Sequence, residues 1–130
     1  MNVLDASALL AFLFREPGHE CVQEVIENCC LSSVNLAEVL GRFARDGHNP
    51  RDTALRIHSS PIEIVPFVEH HAVLAAALLP AALRLGLSLG DRACLALAME
   101  REAPALTADQ AWTGLDLPVP IVQIRSGHAR

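Results

Sequence analysis

The chain contains no lysine, so all ten of its basic residues are arginine. Against fifteen Asp and Glu they leave a formal charge of −5. Such a chain is a poor non-specific binder of polyanions, and any nucleic-acid contact needs a local Arg cluster or a metal ion. The four cysteines never form a C-x-x-C pair, and Cys29 and Cys30 are adjacent, which makes a bond between them difficult. With no secretory signature, they read as reduced thiols that behave as small apolar residues. Long apolar runs are also missing. The stretch "AVLAAALLPAAL" is broken by Pro80 and ends at Arg84, well short of the roughly 20 residues a membrane span needs. The N-terminus has no basic segment and carries Asp5 early, unlike a signal peptide. The expectation is a cytoplasmic protein with no membrane contact. No internal repeat, low-complexity tract or long linker is evident.

What is present suits one packed core. Apolar residues make up 52% of the 130 and charged residues only 19%, which argues against disorder. One domain over residues 1–125 is expected, with 126–130 as a disordered tail. The patterning alternates strands and helices. Strands are expected at Met1–Leu4, Cys30–Ser32, "IEIVPF", "PALTAD" and "VPIVQI". Helices are expected at Ala6–Phe14, His19–Asn28, Val34–Asp46, Arg51–Ser59 and Asp91–Glu102. A further helical region at Glu69–Leu85 is kinked or divided at Pro80. The "ACLALAM" helix is apolar nearly all round and should be central. The implied class is α/β with a central, mostly parallel five-stranded sheet.

In such a sheet, strand ends and the following helix starts gather on one edge, where ligands bind. Asp5 follows the first strand, Asp109 follows "ALT", and Asp91 opens the buried helix. Each has a plainer reading. Asp5 suits an N-cap, Asp91 suits a capping box with Ser88, and Asp109 suits a turn in "TADQ". Taken together, three acids on one edge repel, and each is costly to bury alone. A shared hard cation removes both problems. Glu38 is harder: it lies roughly opposite the Leu36, Val39, Leu40 and Phe43 stripe, with Arg42 at ion-pair spacing. Periodicity alone makes it a solvated surface acid.

The segments "VLDASALLAFLF", "SSVNLAEVL", "LSLGDRACLALA" and "ALTADQAW", in this order and approximate spacing, resemble a PIN domain. The nearest likeness is to the VapC-type toxin ribonucleases, over residues 3 to about 112. The resemblance implies an α/β/α sandwich and an acidic pocket holding Mg²⁺ or Mn²⁺. It makes Asp5, Glu38, Asp91 and Asp109 the catalytic, metal-binding acids, and it overrides the surface reading of Glu38. Ser7 and Thr107 match small hydroxyl positions beside the acids. Arg92 is a candidate phosphate contact, with a surface ion pair as its plainer reading. The implied activity is metal-dependent endoribonucleolytic cleavage of RNA. The implied partners are a cognate VapB-like antitoxin and a second copy of the chain in a homodimer.

Three other readings stand beside this one. A PIN-fold binding protein without catalysis would also carry the acids. A receiver-like signalling domain also clusters Asp around Mg²⁺, but it uses a late lysine that is missing here. A zinc or redox module is disfavoured, because His70 and His71 point about 100° apart on a helix. Trp112 suits either stacking on a base or a place in the core.

Overall fold

The computed structural model describes residues 1–125; the expected tail at 126–130 lies outside them. Five strands are present: β1 (Asn2–Leu4), β2 (Cys29–Ser32), β3 (Glu63–Val65), β4 (Ala105–Thr107) and β5 (Ile121–Gln123). Seven α-helices connect them: α1 (Ala6–Phe14), α2 (His19–Val25), α3 (Ser33–Arg45), α4 (Pro50–His58), α5 (Glu69–Ala77), α6 (Leu79–Leu85) and α7 (Leu89–Arg101). Short 3₁₀ turns occupy Ile26–Asn28 and Gln110–Gly114. The sheet order is β3-β2-β1-β4-β5 and every pairing is parallel. The expected sheet was mostly parallel; the observed one is wholly so. Receiver-type sheets run 2-1-3-4-5, so this topology departs from theirs.

Alternation along the strands divides the core in two. Val3, Cys30 and Ala105 pack on one face with Leu78, Ala82, Leu95 and Leu97 from α5–α6 and α7. Leu4, Leu31 and Leu106 pack on the other with Leu9, Val22, Val39 and Ile57 from α1 to α4. The result is an α/β/α sandwich. Helix α7 carries an unbroken buried run, Ala93 to Ala98, which accounts for its all-round apolar pattern.

Local chemistry sets the helix ends. Asn49 accepts from the N–H groups of Arg51 and Asp52, and Pro50 opens α4, where its missing N–H costs nothing. Ser88 and Asp91 form the expected capping box at the start of α7. The long helical region divides at Leu78, not at Pro80 itself, and Pro80 sits in the first turn of α6. The ring obstructs the carbonyl four residues back, so the break falls before the proline.

All four cysteines are free, and only Cys21 is exposed. Trp112 is fully buried in the α7-side core, so its ring packs against protein and has no face open to a base. His71 is likewise buried. Its Nδ1 accepts from Val68 N–H and its Nε2 lies 2.7 Å from Glu100 Oε1, so it ties α5 to α7 and does not chelate with His70.

Replacing Trp112 with Ala should cost about 3–5 kcal/mol in denaturant unfolding, as for other large buried aromatics. A loss under about 1 kcal/mol would mean that the ring is not a core residue.

Candidate active site

Strand order reverses at β1: the chain runs β1-β2-β3 to one side and adds β4 and β5 on the other. A crevice opens where two such halves diverge, beyond the carboxyl ends of the strands. Asp5 stands directly after β1, and Asp109 stands just past β4. The topology therefore sets both at one edge.

Asp5 is 3% exposed. Its Oδ1 accepts from Ala8 N–H at 2.8 Å, the N-cap bond of α1. Ser7 Oγ lies 2.8 and 3.0 Å from its two oxygens, and Thr107 Oγ1 donates to Oδ2 at 2.6 Å. The two hydroxyls are themselves fixed by backbone donors. Ala108 N–H donates to Ser7 Oγ at 2.9 Å, and Asp109 N–H donates to Thr107 Oγ1 at 3.0 Å. Each oxygen accepts from one side, so its own hydrogen is directed to Asp5. The plain N-cap reading of Asp5 is thus correct as far as it goes. It accounts for one of the donors.

No cation pairs with Asp5 among the described residues. Burial pushes its carboxyl from the ordinary 3.8 up to about 6. The hydrogen bonds from Thr107, Ala8 and Ser7 oppose that rise, and the charge of Asp91 adds to it. Holding this carboxylate ionised therefore costs about 3 kcal/mol.

Asp91 is half-buried, and its carboxyl is also raised, first by burial and also by the charge of Asp109, against the bonds it makes with Ser88. Asp109 caps the 3₁₀ turn, its Oδ1 accepting from Ala111 N–H at 2.9 Å. Gln123 on β5 donates to the Asp109 carbonyl at 3.0 Å. Glu38 is exposed at the solvent side of α3, yet its carboxylate lies against Gly90 of α7. Asn35 Nδ2 donates to Glu38 Oε1 at 2.9 Å. Fully buried Cys94, further along α7, is held well above its usual range by burial and then by the charges of Asp5, Cys30, Asp91 and Glu38. Asp5, Asp91 and Glu38 thus act on one thiol.

Two expectations need correction. Among the described residues, no three His, Cys, Asp or Glu side chains close on one point as a formed metal cage. Asp91 and Asp109 each accept from a nearby backbone N–H, that of Ser88 and of Ala111 respectively. Arg42 does not pair with Glu38. Its Nε lies 3.6 Å from Asp46 and its guanidinium sits 4.8 Å over the Phe14 ring. Arg92, the candidate phosphate contact, donates from Nη1 to the Ala75 carbonyl at 3.2 Å, near the end of α5. Asn35 and Gly90 were not anticipated. The available signal for Asn35 was its spacing of three from Glu38, which puts both on one helix face.

The residues present suit a hard divalent cation. All four acids offer carboxylate oxygen, the ligand such ions prefer. The most buried of them lacks a counter-charge, and Gly90 leaves open the space that Glu38 occupies.

A family model described as PIN domain matches residues 3–116. No curated protein matches the chain. Among solved structures, FitAcB from Neisseria gonorrhoeae is similar at 21% identity and TM-score 0.71, covering 95% of this chain and 98% of its own. A toxin–antitoxin complex from Klebsiella pneumoniae is similar at 18% identity and TM-score 0.70, with coverage of 93% and 100%. VapBC-5 from Mycobacterium tuberculosis, a member of the VapBC family of toxin–antitoxin systems, is similar at 22% identity and TM-score 0.64, with coverage of 94% and 97%.

In the metal-free protein, the raised Asp5 carboxyl favours the fold at low pH, and that contribution is lost as pH rises from 3.8 through about 6. Thermal unfolding should therefore show wild type losing stability relative to Asp5→Asn between pH 4 and pH 7, by up to about 3 kcal/mol. Mn²⁺ at pH 7 should restore the wild type and leave Asp5→Asn unchanged. A pH-independent difference between the two would contradict the buried, uncompensated charge.

Proposed function

We propose that this chain, which belongs to the PIN domain family, is a metal-dependent endoribonuclease that cuts RNA phosphodiesters. It acts as the toxin of a VapBC-like pair. The observation that carries this reading is the Asp5 carboxylate, buried at the switch point with no cation beside it and within charge range of Asp91. One similar solved structure is a toxin–antitoxin complex and another is a member of the VapBC family of toxin–antitoxin systems, which supports an antitoxin as partner. The chain is also read as a homodimer. No helix among the described residues is long and apolar enough to cross a membrane.

Asp5, Glu38, Asp91 and Asp109 are the residues that would hold Mg²⁺ or Mn²⁺. When bound, the ion supplies Lewis acidity toward a phosphoryl oxygen and a lowered pKa for water at neutral pH. Ser7 and Thr107 orient the Asp5 carboxylate, and their backbone donors at Ala108 and Asp109 keep them so. Asp91 and Asp109 are less buried than Asp5 and would meet the RNA backbone first. Hydrolysis displaces the 3′ oxygen and leaves a 5′-phosphate and a 3′-hydroxyl. Specific recognition falls to the site because the −5 charge gives little general attraction for RNA.

Asp5→Asn should lower cleavage of RNA in Mg²⁺ by at least about 100-fold, the equivalent of several kcal/mol of lost charge stabilisation. Its circular dichroism and size should match wild type. Wild-type turnover in that variant would refute the mechanism. Induced alone in a bacterial host, the wild-type chain should arrest growth and produce new RNA 5′ ends, and co-expressed antitoxin should relieve the arrest. Harmless expression of an active, folded chain would contradict the toxin assignment.

A further inference from the structure

Asn35 is a buried polar residue that the roles described so far leave unused. It is 1% exposed, on α3, facing α7. Its Nδ2 donates to Glu38 Oε1 at 2.9 Å and to the Gly90 carbonyl at 3.0 Å. Both amide hydrogens are therefore in use, one within α3 and one across to α7. Rotating the amide by half a turn would set its oxygen against a carboxylate and a carbonyl, which are both acceptors. The partners thus dictate its orientation. Its Oδ1 is buried and finds no partner among the described residues. A leucine of similar size would avoid that unsatisfied acceptor, so packing alone does not favour an amide here.

Gly90 supplies the other half. It stands on α7 one residue before Asp91, and a Cβ built there would overlap the whole Glu38 carboxylate. Its backbone is ordinary helix, outside the left-handed region. The glycine is needed for the close approach of Glu38, not for its own conformation.

We propose that Asn35 is a positioning residue for the acidic site: together with Gly90 it clamps the Glu38 carboxylate against the start of α7, beside Asp91. Glu38 is itself exposed, and a glutamate there would otherwise sample several rotamers. The hydrogen bond from the Asn35 amide to Glu38 removes that freedom, and its second hydrogen bond, to the Gly90 carbonyl, couples the α3 acid to the start of α7. This rests on the metal-dependent reading given above.

The test compares wild type, Asn35→Leu, Gly90→Ala, Glu38→Gln, Asp5→Asn and the double variant Asn35→Leu/Glu38→Gln. Mn²⁺ affinity is read by electron paramagnetic resonance of the free ion, RNA cleavage as kcat and KM, and folding by thermal unfolding. Asn35→Leu and Gly90→Ala should each weaken Mn²⁺ binding by about 10-fold or more, as for other residues that orient metal ligands. They should lower kcat with little change in KM. The double variant should match Glu38→Gln alone, because Asn35 acts through Glu38. Wild-type Mn²⁺ affinity and kcat in Asn35→Leu would overturn the proposal, and so would a double variant whose loss is the product of the two single losses. If Asn35→Leu is too unstable to assay, Gly90→Ala carries the same prediction and the same refutation. If Asp5→Asn loses binding while Asn35→Leu and Gly90→Ala keep it, the positioning claim alone falls. If Asp5→Asn keeps both binding and cleavage, the metal-dependent reading falls and takes this proposal with it.

Discussion

Ala8 N–H and the hydroxyls of Ser7 and Thr107 converge on the Asp5 carboxylate, and none of them carries a charge. Hydrogen bonds stabilise a buried anion only partly, and here burial outweighs them. The site therefore stores an unfavourable term that a cation can relieve. That imbalance connects the fold to the chemistry. Apolar clusters on both faces of the sheet offset it.

The sheet delivers the anions to one place. Strand order reverses at β1, β1 and β4 end at that edge of the sheet, and the first turn of α7 lies against Glu38 of α3. Short strands make this economical, since Thr107 at the end of β4 reaches Asp5 across a single strand spacing. Helix α7 has two roles. Its buried run anchors one core, and its first turn presents Gly90 and Asp91 to the site. A disturbance of α7 packing would therefore reach the acids directly.

Most elements were legible because their signals are local. The buried apolar run of α7, the Ser88–Asp91 box and the five strands follow from patterning within about a dozen residues. Asp5, Asp91 and Asp109 were legible as a group because the edge rule for parallel sheets applies to sequence position. Glu38 was not legible from periodicity. It is exposed even though its carboxylate lies against Gly90 of α7, so the apolar pattern of α3 carries no trace of that approach. Arg42 has equal spacing to Glu38 and Asp46, and contact with the Phe14 ring accompanies its pairing with Asp46. Asn35 stayed hidden because its second partner, Gly90, lies 55 residues away. Among the described residues the acids do not close into a cage, and Asp91 and Asp109 bond to backbone N–H groups in the capping and turn roles their positions also suit.

The central claim is that the uncompensated Asp5 charge is the seat of a divalent cation. The most direct measurement is anomalous X-ray scattering from crystals of this chain grown with Mn²⁺. One strong peak at coordination distance from Asp5, with Asp91, Asp109 or Glu38 turned toward it, is the predicted result. Crystals grown at saturating Mn²⁺ with no density beside Asp5, or with manganese bound only elsewhere, would contradict it.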